Sequence, residues 1–87
     1  MIQLEGGVGV IVKSIESQKE EFSRRLKVVF NNKTGFERDT TMLFCQQKIA
    51  EEIKGRLQQG EISDEDQREL LDFVNRVYLN LMAMNKK

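Results

Sequence analysis

From Asp39 to the C-terminus the apolar positions recur at intervals of three and four, the spacing of one helix face. Met42, Cys45, Ile49, Ile53 and Leu57 make the first stripe, which predicts a helix from about Thr40 to Gln58. Asp39, Thr40 and Thr41 are available to accept hydrogen bonds from the unpaired amides of its first turn. Gly60 can take the left-handed conformation that ends a helix. The second stripe is Leu70, Phe73, Val74, Val77, Leu81 and Met84, and Leu71, Tyr78 and Met82 widen it to about half the circumference. Ser63 stands three residues before Asp66 in a near capping box, with Asp64, Glu65 and Asp66 at the positive end of the helix dipole. The link Gln59-Gly60-Glu61-Ile62 is short enough to make the two helices antiparallel neighbours. A helix so broadly apolar needs more cover than one such neighbour provides.

The N-terminal part follows a different period. Val8, Val10 and Val12 alternate with Gly9, Ile11 and Lys13, and this β-branched run predicts a strand over residues 8–15. Residues 16–31 fit two periods. As a strand, Phe22, Leu26, Val28 and Phe30 share a face; as a helix, Ser17 and Glu20 make a capping box and Phe22, Leu26, Val29 and Phe30 a stripe. The strand is preferred, because a single strand at 8–15 would leave its backbone donors and acceptors without partners. Asn31-Asn32-Lys33-Thr34-Gly35 reads as a turn, with Phe36 anchoring it on the core. The expected fold class is α+β, an N-terminal β-strand pair packed on a C-terminal antiparallel helical hairpin. An all-α three-helix bundle with a short N-terminal strand is the alternative. Residues 1–87 form one domain in either case, with a strand-rich or mixed part at 1–38 and the helical hairpin at 39–87.

Composition narrows the chemistry. The chain has 87 residues, a size at which a domain is marginal alone, so a homo-oligomer, dimer or higher, is expected. Fourteen basic and fourteen acidic side chains cancel, which removes the simplest argument for generic attachment to nucleic acid or an anionic membrane. No apolar run approaches the roughly 20 residues of a spanning helix. With no His, the commonest general base, metal ligand and near-neutral pH switch is lacking, and neither an enzyme nor a cofactor is expected. The absence of Trp and the single Tyr leave few platforms for stacking bases. One cysteine forms no disulfide within the chain, and no secretory pattern opens the sequence, so the cytoplasm is expected.

Five constellations remain. Gly7 to Ser14 falls one glycine short of a phosphate-binding loop, because Val12 occupies the position before Lys13 and Ser14. Arg24, Arg25, Lys27, Lys33 and Arg38 are the one basic concentration, a possible phosphate-contacting patch interrupted by Glu20, Glu21 and Glu37. Asp64, Glu65, Asp66 and Glu69 lack the central glycine and ligand spacing of a calcium loop and suit a helix start. Cys45, without a His partner, reads as a buried structural thiol. Phe44 and Leu79 lie opposite the stripes of their helices and, with Leu71, Tyr78 and Met82, are the expected partner interface. The expected function is a non-enzymatic protein-protein interaction module, a small regulator or adaptor that self-associates through helices. Nucleic-acid binding through the basic patch is the alternative.

Overall fold

The computed structural model describes residues 14–85, which form three helices and no strand: α1 Ile15–Asn32, α2 Gly35–Gln58 and α3 Asp64–Asn85. The α+β expectation is therefore corrected, and residues 16–31 take the helical of their two periods. Phe22 and Leu26 are fully buried while Val28, which a strand would place on the same face, is 50% exposed. A helix satisfies its backbone within the segment, so α1 needs no strand partner. Its cap is Ser14, whose Oγ accepts from the Ser17 amide at 3.1 Å, and not the Ser17–Glu20 box. The strand expected over residues 8–15 and the near phosphate loop fall mostly on residues 1–13, outside those described; their last residues, Ser14 and Ile15, are the cap and first residue of α1.

The turn after α1 is shorter than the sequence suggests. Asn31 and Asn32 belong to α1, the link is Lys33 and Thr34, and α2 starts at Gly35, whose φ of +60° a Cβ-bearing residue adopts only with strain. Arg38 closes the link by donating from Nε to the Lys33 carbonyl at 2.8 Å and laying its guanidinium 4.0 Å from the centre of the Phe30 ring. Asp39, Thr40 and Thr41 consequently sit inside α2 and do not cap it. Phe36 is 84% exposed and anchors nothing on the core, against expectation.

The end of α2 follows its sequence signals closely. Gly60, at φ +77°, donates to the Leu57 carbonyl at 3.0 Å and Glu61 to the Arg56 carbonyl at 2.9 Å, the paired bonds of a Schellman motif. Ser63 and Asp66 then cap α3 reciprocally: the Asp66 amide donates to Ser63 Oγ at 3.1 Å, and the Ser63 amide donates to Asp66 Oδ2 at 3.3 Å.

Polar pairings across the seams fix the arrangement. Arg25 meets Glu52 and Arg56 meets Gln18, so α1 and α2 run antiparallel. Lys19 meets Glu69 near the starts of α1 and α3, which run parallel. Gln46 donates to Asn75 Oδ1 at 3.2 Å across the antiparallel α2–α3 seam. Phe22 and Leu26 of α1, Met42, Ile49 and Ile53 of α2, and Leu70, Val74 and Leu81 of α3 form the core, with Ile62 closing one end. The extra cover that the broad face of α3 requires comes from α1, since the Lys19 ammonium lies 5.6 Å from the centre of the Phe73 ring.

Candidate functional site

The polar seam between α1 and α2 is the most organised cluster of charges. Arg25 donates to both oxygens of Glu52, at 2.9 and 2.7 Å, a bidentate pair. Arg56 donates to Oε1 of Gln18 at 2.7 Å and lies within 4 Å of Glu21 and Glu52. Both guanidinium groups face the Phe22 ring, at 5.8 and 5.0 Å. Gln18 is the one buried polar side chain among the described residues, and its bond to Arg56 accounts for its place on an apolar face. The hydrogen bond from Arg25, strengthened by the attraction of nearby cations, holds the Glu52 carboxyl below its usual range against the opposing effect of burial. Half-buried Cys45 packs against the core beside this seam, and burial pushes its thiol up, which disfavours the nucleophilic thiolate. The seam is a structural joint, its donors and acceptors spent on one another.

The five cations of the basic patch do not form one surface. Arg25 is committed to Glu52, Lys33 lies 3.7 Å from Glu37 one turn on, and Arg38 is held at the α1–α2 link. Of the five, Arg24 and Lys27 alone share an exposed face, where they line a groove of about 510 Å³ with Glu16, Lys19, Glu20, Ser23 and Phe73. Neither makes an ion pair or hydrogen bond among the described residues.

The expected interface residues also separate. Phe44 and Leu79 are both exposed, at 63% and 54%, but Phe44 lies on the far side of α2, with the Lys48 ammonium 5.9 Å from the centre of its ring. Leu79 lies one turn beyond Asn75 and is rotated further from the core, on the outer side of α3 next to the α2–α3 seam. Leu71, Tyr78 and Met82 are half-buried on that side of α3, packed against the core. Two residues not expected there join Leu79. Leu43, 46% exposed, lies one turn before Gln46, and Phe36 stands seven residues, two turns, before Leu43 on the same flank. Antiparallel pairing of Gln46 with Asn75 places Leu43 level with Leu79, so Phe36 and Leu43 on the flank of α2 and Leu79 on the outer side of α3 make a discontinuous row of exposed apolar positions. The heptad spacing of Phe36 and Leu43 was legible in the sequence, but the expectation that Phe36 anchors a turn hid it.

Among the described residues no group of three or more His, Cys, Asp or Glu side chains could hold a metal ion, and Asp66 of the acidic cluster is engaged in capping. No described helix is long and apolar enough to cross a membrane. The class these observations define is an antiparallel three-helix bundle with exposed apolar and charged outer faces. Comparison with family models, curated proteins and solved structures finds no match for the chain.

Proposed function

We propose that this chain is a non-enzymatic interaction module, a small cytoplasmic regulator or adaptor that self-associates through its helices and docks a protein partner on the α2–α3 flank. The observation that carries the reading is the row of Phe36, Leu43 and Leu79, three large apolar side chains left in water on α2 and α3. Burying each against a partner contributes on the order of 1.5–3 kcal/mol. The organised charges, by contrast, are consumed in holding α1 to α2, and the thiol of Cys45 is pushed away from reactivity.

Light scattering at about 100 μM should give a mass above that of the monomer, since even a weak micromolar dimer forms there. Leu43→Asp combined with Leu79→Asp should keep the helical circular dichroism and lose the proteins that the native chain recovers from its own cell extract. A monomeric mass together with equal recovery by the variant overturns the reading. Binding to duplex or single-stranded nucleic acid at physiological salt, weakening steeply as salt is added, replaces it with the nucleic-acid reading.

A further inference from the structure

We infer that the outer face of α1 is the self-association surface, docking antiparallel against the same face of a second copy about a two-fold axis near Ser23. This inference rests on the self-association proposed above and supplies its geometry. Along the helix the charges of the groove change sign: Glu16, Lys19 and Glu20 line its N-terminal half, where Lys19 is engaged with Glu69 at 2.6 Å and with Glu16 at 3.7 Å, Arg24 and Lys27 line its C-terminal half, and Ser23 lies between them.

The helix dipole does not account for this order. Its influence is confined to the first and last turns, and α1 has only Glu16 in its first turn and no cation in its last. Pairing within the helix does not account for it either. Glu16 pairs with Lys19 at 3.7 Å, but Glu20 and Arg24, which have the favourable spacing of four, and Lys27 make no ion pair or hydrogen bond among the described residues.

A face acidic at one end and basic at the other is complementary to itself when reversed, the requirement of a two-fold interface. Glu16, Glu20, Ser23 and Lys27 follow one another at intervals of four, three and four, the spacing of a helix seam that meets another helix. With the axis between Ser23 and Arg24, Glu20 faces Lys27 of the second copy, and the reverse pair forms by symmetry. Ser23 allows close approach of the two helices. Lys19 meets Glu69, so Ser23, one turn on, is level with Phe73, which lines the same groove. The two Phe73 rings therefore lie near the axis and supply apolar contact between the charged pairs. The row of Phe36, Leu43 and Leu79 remains open on each copy, and the dimer presents it twice.

Charge reversal tests the pairing. Glu20→Lys and Lys27→Glu are substitutions at exposed positions seven residues apart, too far for direct contact within one helix. Each alone places like charges opposite one another at two symmetric contacts and should weaken the dimer about tenfold or more in sedimentation equilibrium. The double variant restores both pairs and should recover the native dissociation constant to within about threefold. Circular dichroism should show all three variants as helical as the native chain. A dimer indifferent to the single reversals, or a double variant as weak as either single, overturns the inference. If the dimer instead dissociates with Leu43→Asp and Leu79→Asp, self-association survives as a reading and the α1 face does not. A native chain monomeric at about 100 μM removes both.

Discussion

Replacing Glu52 by Gln asks how firmly α1 is joined to α2. The bidentate bonds from Arg25, at 2.9 and 2.7 Å, are charge-assisted, but the two side chains remain 33% and 36% exposed. Solvent screening therefore reduces their worth from that of a buried pair to about 1 kcal/mol, the upper end for exposed pairs. In a domain this small, 1 kcal/mol shifts the melting temperature by roughly 4–8 °C. A double-mutant cycle with Arg25→Met, which keeps an unbranched stem over Phe22, isolates the pair from packing. Acid provides an independent check. Arg25 depresses the Glu52 carboxyl in the folded chain, so its contribution is complete above the ordinary carboxylate pKa and is lost as pH falls through the lowered folded value. The native chain should therefore exceed the Glu52→Gln variant in melting temperature at about pH 7, and that excess should shrink as pH falls below the ordinary carboxylate range. A coupling energy near zero, or an excess that persists in acid, refutes the reasoning.

Two further substitutions probe the helix ends. Ser14→Ala should cost about 1 kcal/mol in urea unfolding by removing the α1 cap, whereas Ser17→Ala, exposed and contributing only its backbone amide, should stay within about 0.5 kcal/mol of the native chain. Gly60→Ala should cost about 1–2 kcal/mol through its positive φ alone, because a Cβ there meets nothing within 4 Å; a neutral melting curve would show that the Schellman turn relaxes.

By itself the sequence determined the C-terminal two-thirds of the bundle. There the stripes of α2 and α3 admit a single period, and Gly60, Ser63 and Asp66 act through bonds to residues a few positions away, so their signals are complete locally. Residues 16–31 satisfy strand and helix periods alike, and only packing of Phe22 and Leu26 against the other two helices chose between them. The start of α2 escaped sequence reading because Gly35, usually a breaker, here opens the helix in a conformation stabilised by Arg38 reaching back to Lys33. The candidate surfaces were legible as lists of residues and not as places. That Phe44 and Leu79 point apart, that Leu43 and Phe36 join Leu79, and that Arg25 turns inward to Glu52 while Arg24 and Lys27 stay outside all depend on the register between helices. Register is set by contacts between residues as far apart as Lys19 and Glu69, and no periodicity within a single helix carries that information.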